Sequence, residues 1–337
     1  MEVRLEPSGA RFIVPPSETV LERALKQGLA YPHDCTVGTC GSCRSRLIEG
    51  KVDAITPFGY TLSREELEAG YILACQAIPR TELVLEVSLD APSLPAAKTF
   101  EARLIRLDDL THDIKRASFE LDAPLDYLAG QYVNVSWPGD ERSRSYSFSE
   151  KPLKGGRSQI STFIRRVPGG SFTEHLFSGD PFGTPYRLDG PHGNFWLREG
   201  DSPILAVAGG SGLAPIISLL EDAAARGVAR DCVLLFGART ERDLYAGDEI
   251  AAIAGAWRGN FEYRPILSEE KVGETRHGLV TAFIARALAD LGQNAHAYMC
   301  GPPAMIDAGI AALTNEAIPL EDIHYDKFTD ASHKAAA

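Results

Sequence analysis

The sequence predicts three modules in a row: an α+β unit of the β-grasp type, an antiparallel β-barrel, and a doubly wound α/β domain around a parallel sheet. Three observations predict this. The hydrophobic rhythm changes along the chain, four of the six cysteines fall within the first 75 residues, and a proline-containing stretch separates that first unit from the rest. At 337 residues the chain is too long for one small core.

Val3–Glu6 and Arg11–Val14 read as two strands around a Pro7-Ser8-Gly9 turn. A helix follows from Ser17 or Thr19 to about Gln27, with Thr19 and Glu22 as a capping box and Gly28 as its stop. Strands at Arg44–Ile48 and Glu82–Leu89 complete a unit over 1–90. Residues 91–98 carry prolines without strand or helix periodicity and form a stiff linker. From 99 to 197 the texture is all-β. Ala117, Phe119 and Leu121 alternate, as do Val133, Val135 and Trp137, and about six strands separated by turns suggest a barrel. From 198 to 330 strands and helices alternate, beginning with the apolar runs Ile204–Ala208 and Cys232–Phe236. Helices are expected over about Ala214–Arg226, Leu279–Leu291 and Ala304–Asn315, and 331–337 is a tail.

Composition narrows the function. A net charge of −12 argues against nucleic acid, which needs a basic face. No run of about 18 apolar residues is present, so no membrane helix is expected. The first residues lack the apolar core of a signal peptide, which predicts a cytoplasmic protein. In that reducing setting clustered cysteines point to metal or redox chemistry rather than disulfides.

Cys35-Thr-Val-Gly-Thr-Cys40-Gly-Ser-Cys43, with Cys75 downstream, has the spacing C-x4-C-x2-C…C of a [2Fe-2S] site. Three thiolates can then converge from one loop, which Gly38 and Gly41 allow to fold tightly. Zinc sites pair their ligands as C-x2-C twice, which this loop does not. The first 90 residues resemble a plant-type ferredoxin, down to the Ala74-Cys75 of the last ligand.

Arg144-Ser145-Tyr146-Ser147 follows Gly130-Gln-Tyr-Val-Asn-Val135 and places a cation, hydroxyls and an aromatic ring on one extended segment. Alternation sets Arg144 and Tyr146 on one face, Ser145 and Ser147 on the other. A flavin needs a cation for its pyrophosphate, a ring against the isoalloxazine and donors for its polar edge. Tyr146 and Ser147 are the residues expected beside the reacting ring. Gly169-Gly170-Ser171-Phe172-Thr173 opens a short helix and offers a second anion site, which favours FAD over FMN. The segment resembles the Arg-x-Tyr-Ser motif of the ferredoxin–NADP reductase family.

Gly209-Gly210-Ser211-Gly212 joins a buried strand to a helix whose first turn holds Pro215. It does not match G-x-G-x-x-G. Cys300-Gly301-Pro302-Pro303 ends a later parallel strand, where ligands of open α/β sheets bind. The segment matches the reductase family, and this places Cys300 beside the nicotinamide as a packing thiol rather than a nucleophile. Cys232, inside its strand, reads as core. Arg239 or Arg242 can take a 2′-phosphate, whereas Glu241 and Asp243 repel one; the mixed signs put NADH ahead of NADPH. Phe328 is a candidate wall for the flavin by resemblance, against plain sheet closure. His175, His192 and His277 read as surface or turn residues.

Taken together, the chain is similar to the reductase components of bacterial multicomponent oxygenases, such as the benzoate dioxygenase, phenol hydroxylase and toluene monooxygenase systems. That resemblance implies a path NADH → FAD → [2Fe-2S] → terminal oxygenase, either a Rieske dioxygenase or a diiron monooxygenase, and a reductase that is itself monomeric. A stand-alone NAD(P)H:acceptor reductase and a redox sensor are the alternatives.

Overall fold

The computed structural model describes residues 1–29, 31–33, 38, 41–87, 89, 95, 97–138, 140–271, 277–292 and 294–328. Those up to 89 form one compact unit and those from 95 onward another.

The first unit contains β1 (Glu2–Glu6), β2 (Arg11–Ile13), α1 (Val20–Lys26), β3 (Arg44–Glu49), β4 (Val52–Ala54), α2 (Arg64–Glu68), β5 (Tyr71–Leu73), β6 (Ala77–Pro79) and β7 (Leu83–Glu86). The main sheet runs β2-β1-β7-β3-β5, with β1 and β7 parallel. Val3 and Leu5 point inward by alternation and are fully buried. Helix α1 buries Val20, Leu21 and Ala24, and its start is held by the expected box, Thr19 and Glu22 capping each other, which stabilises such a helix by ~1 kcal/mol. Sequence periodicity missed β4, β5, β6 and α2, each of three to five residues, too short to show a period.

The second unit begins with β8 (Lys98–Asp109), β9 (Ile114–Leu125), β10 (Tyr132–Trp137), β11 (Asp140–Ser147), β12 (Arg157–Arg165), α3 (Ser171–Ser178) and β13 (Pro185–His192). The six strands are ordered β11-β10-β13-β8-β9-β12. A Phe148–Thr162 bridge links the two edge strands, curling the sheet towards a barrel. Ala117, Phe119, Val133 and Val135 fill its interior, as the alternation predicted.

The rest comprises β14 (Ile204–Gly209), α4 (Leu213–Arg226), β15 (Cys232–Ala238), α5 (Gly247–Ala256), β16 (Phe261–Leu267), α6 (Ile284–Leu291), β17 (His296–Gly301), α7 (Pro303–Asn315) and β18 (Ile323–Lys327). The parallel order is β16-β15-β14-β17-β18. The chain reverses direction across the sheet between β14 and β17, and a crevice opens at such a point beyond the carboxyl ends of the strands. The helix expected from Leu279 begins instead as a 3₁₀ turn over Val280–Phe283, where β-branched Val280 and Thr281 disfavour a regular α-turn. Helix α5 escaped the sequence reading because its only buried residues are Ile250 and Ile253, too narrow a stripe to show.

Barrel and α/β sheet share a core. Ile114, Phe163, Phe195 and Leu197 pack with Leu213, Phe236 and Tyr245, and Phe163 meets Tyr245 edge to face at 5.5 Å. Polar ties run alongside: Arg116 pairs with Glu249, and the Ser218 hydroxyl donates to the Glu150 carbonyl at 2.6 Å. Among the described residues no helix is long and apolar enough to cross a membrane.

Candidate functional site

Three groups of the predicted residues are brought together. The first lies where β3 starts and β5 ends. Antiparallel register sets Arg44 opposite Leu73 and Ala74 opposite Cys43, so Cys75, one residue on, reaches Cys43. Both are buried, and the Cys75 backbone N–H donates to the Cys43 sulfur at 3.4 Å. The Gln76 amide donates to the Cys75 sulfur at 3.7 Å. Buried sulfurs that receive N–H donors suit metal-bound thiolates. Cys35 and Cys40 lie outside the described residues. Gly38 and Gly41 have φ of +84° and +76°, the left-handed backbone that the loop reading required. Sequence reasoning did not foresee the supports around them. Thr61 donates to the Gly38 carbonyl, and Glu66, wholly buried, caps Ser63 while pairing with Arg44. The capping pattern Ser63-x-x-Glu66 was there to be read.

The second group surrounds β11. Val133 faces Tyr146 and Val135 faces Arg144 across the ladder, so Arg144 and Tyr146 share a face as predicted. The Tyr146 ring stacks on Phe172 at 5.5 Å, and burial pushes its hydroxyl up so that it stays neutral. The Ser145 hydroxyl donates to Asn134 at 2.8 Å, and Ser147 is buried. Gly169 takes φ +73°, and Gly170 caps α3. Thr173 turns its hydroxyl back onto the Val167 and Gly170 carbonyls at 3.0 and 3.1 Å, closing that turn. Arg144 and the Ser171 hydroxyl both donate to the Asp140 carboxylate, at 2.9 and 2.6 Å. Hydrogen bonds from Arg142, then Ser171 and Arg144, hold that carboxyl well below the ordinary range. An anion already stands between the two predicted phosphate-binding elements, so their donor set fits a flavin pyrophosphate. His175, expected at the surface, is half-buried; it stacks on Trp137 at 4.0 Å and meets the Tyr186 hydroxyl at 3.1 Å.

The third group lines a cavity of about 230 Å³ at the carboxyl ends of the parallel strands. Gly209, Gly210, Arg239, Pro302 and Met305 form its walls, joined by Asp113, Ile114 and Arg165 from the barrel. The Tyr245 hydroxyl pins the turn by donating to the Gly210 carbonyl at 2.8 Å. Gly212 is needed for close approach: a Cβ there would stand 2.3 Å from the Cys300 carbonyl oxygen. Cys300 is fully buried, and burial and then Asp326 push its thiol well above the ordinary value. Its neighbours Pro302 and Met305, rather than Cys300, face the cavity. Phe328 lies just past β18, its N–H donating to the Gly301 carbonyl at 2.9 Å. Cys232 is core, as expected.

Arg239 is not isolated. Its Nη2 donates to Asp113 at 2.9 Å and to Asp243 at 3.2 Å. Burial raises the Asp243 carboxyl, but bonds from Thr240 and the charge of Arg239 outweigh it and keep it ionised. His112, Asp113 and Asp243 stand close enough for a cation site, yet the cation already there is the Arg239 guanidinium.

Comparison with known proteins follows the same division. Residues 3–80 match the 2Fe-2S iron-sulfur cluster binding domain, 101–196 the oxidoreductase FAD-binding domain and 206–309 the oxidoreductase NAD-binding domain. The chain is 39% identical over 331 residues to the xylene/toluene monooxygenase electron transfer component of Pseudomonas putida, covering 97% of this chain and 93% of that one. It is 32% identical to the phenol hydroxylase P5 protein of Acinetobacter pittii, covering 99% and 96%. Among solved structures, an Amycolatopsis cytochrome P450 reductase matches with a TM-score of 0.72 at 33% identity, covering 98% and 99%.

Proposed function

Because this chain belongs to the electron-transfer reductase components of multicomponent oxygenases, we propose that it oxidises NADH and delivers the electrons to a terminal oxygenase. The observation that carries this is the likeness along nearly the whole chain to the xylene/toluene monooxygenase electron transfer component. A monooxygenase acting on aromatic hydrocarbons is accordingly the partner we favour. Held by Arg144, Ser171 and the Gly169-Gly170 turn, a flavin would supply two-electron acceptance from NADH and one-electron donation, and a cluster on the cysteines would supply one-electron relay, chemistry that no side chain here provides.

The chain's own residues bind and orient. Cys35, Cys40, Cys43 and Cys75 hold the cluster, with N–H donors to sulfur tuning it. Arg144, Ser171 and the Gly169-Gly170 turn receive the FAD pyrophosphate, Thr173 shapes that turn, and Ser145, Tyr146 and Ser147 flank the ring. Gly209, Gly210, Ser211 and Arg239 receive the nicotinamide nucleotide beside Pro302, with Cys300 and Gly301 packed behind that wall and Phe328 hydrogen-bonded to Gly301. The modules run 1–90, 99–197 and 198–330, joined by the linker 91–98 and followed by the tail 331–337. The protein acts as a cytoplasmic monomer, and the net charge of −12 speaks against a nucleic-acid partner.

Anaerobic stopped-flow mixing with NADH tests the path. Flavin absorbance should fall first and cluster absorbance next, both faster than turnover with the oxygenase. A cluster that bleaches more slowly than turnover, or not at all, would sink the proposal.

A further inference from the structure

We infer that Asp113 is a positioning residue for the nicotinamide nucleotide: from the β8–β9 turn it holds Arg165 of the barrel and Arg239 of the α/β sheet together at the cavity wall. This rests on reading that cavity as the nucleotide site. Asp113 Oδ2 accepts from Arg165 Nε at 3.1 Å and from Arg239 Nη2 at 2.9 Å. The three residues are far apart in sequence, and all line the same cavity beside Gly209 and Gly210.

Asp113 is itself tightly placed. The Thr111 hydroxyl donates to its Oδ1 at 3.0 Å and accepts from its backbone N–H at 3.2 Å, while its carbonyl accepts from the Arg166 N–H at 2.8 Å. Its side chain is 17% exposed. Burial raises the carboxyl, but Thr111, Arg165 and Arg239 outweigh it and keep it charged.

A guanidinium carries five N–H donors. Arg165 spends only Nε on Asp113, and Arg239 only Nη2 on its acceptors, among the described residues. Arg165 Nη1 stands 3.8 Å from where a Gly210 Cβ would be, beside the glycine turn. Donors of both arginines are thereby left for an incoming phosphate while the shared carboxylate fixes their planes. Without that carboxylate, two like charges face each other across the seam between barrel and sheet and drift apart. Fixing ligand-binding side chains through a second layer is how a site is preorganised.

The test uses the full-length holoprotein, with ferricyanide as acceptor. Asp113→Asn should raise KM for NADH about tenfold, the effect of one charge-assisted hydrogen bond, and leave kcat at saturating NADH nearly unchanged. Asp113→Glu should recover part of the loss. Arg165→Gln, which removes one of the two paired guanidinium groups, should likewise raise KM for NADH, and the double variant with Asp113→Asn should be less than additive. An unchanged KM with a lowered melting temperature would make Asp113 a structural tie only, overturning the inference. So would fully additive effects, or no recovery by glutamate. Failure of NADH to reduce the flavin of the unmodified protein would overturn the assignment of the cavity itself, a result distinct from either.

Discussion

Replacing Gly212 with alanine puts a methyl group where the backbone of β17 already stands. Its carbon would lie 2.3 Å from the Cys300 carbonyl oxygen, 2.5 Å from the Cys300 carbonyl carbon and 2.8 Å from the Gly301 nitrogen. None of these is the end of a flexible side chain, so the start of α4 must move from the strand by ~1 Å to reach van der Waals contact. Such overpacking costs about 1–3 kcal/mol, and for a unit of this size Tm should fall by about 2–12 °C. The larger effect is on alignment. The Gly209–Gly210 turn and Pro302, just past the Cys300–Gly301 strand end, line the cavity proposed for the nucleotide, and a misplacement of ~1 Å slows a reaction by up to about a hundredfold. Stopped-flow flavin reduction by NADH should therefore slow by ~10–100-fold, while FAD content and reduction by dithionite stay normal. A Gly212→Ala protein with unchanged Tm and unchanged flavin reduction would refute the reasoning, because it would mean that the turn and strand end do not set the nucleotide's place.

Cys75→Ser should abolish cytochrome c reduction while sparing ferricyanide reduction by the flavin; loss of both would contradict a modular path. Asp140→Asn should tighten FAD binding severalfold in fluorescence titrations, since the carboxylate occupies the donors of Arg144 and Ser171; weaker binding would mean that Asp140 orients them instead. Burial holds the Cys300 thiol well above its ordinary value, so flavin reduction should show no inflection near the usual thiol pKa of ~8.5. An inflection there that disappears in Cys300→Ser would count against a neutral packing role.

The fold was legible where elements are long and their faces distinct. Alternation in β9 and β10 marked the barrel, and the buried runs of β14 and β15 marked the parallel sheet. It was illegible where tertiary packing, not local pattern, stabilises an element. Helix α5 is mostly alanine and glycine, and its two isoleucines acquire meaning only against the core that contains Trp257 and Tyr245. Helix α2 has five residues and persists because Glu66 caps it while pairing with Arg44.

The site divides in the same way, for a reason of chemistry. Three of the four cysteines expected to bind the cluster, and likewise the glycines expected to admit a phosphate, each sit close in sequence within a single loop, so spacing betrays them. A residue that holds those binders need only be close in space. Arg239 is visible from its place after β15, next to the acidic Glu241 and Asp243. The partner that matters as much, Asp113, comes from the barrel 126 positions earlier. No local pattern distinguishes Thr111-His112-Asp113 from any other polar turn. Only folding reveals that its carboxylate is shared with Arg165, and that the cavity proposed for the nucleotide is walled by residues of two modules rather than one. If that cavity takes the nucleotide, specificity at the ribose end is shared between the barrel and the α/β module, and changing Arg239 without Asp113 should leave a half-buried carboxylate short of a partner instead of creating a new preference.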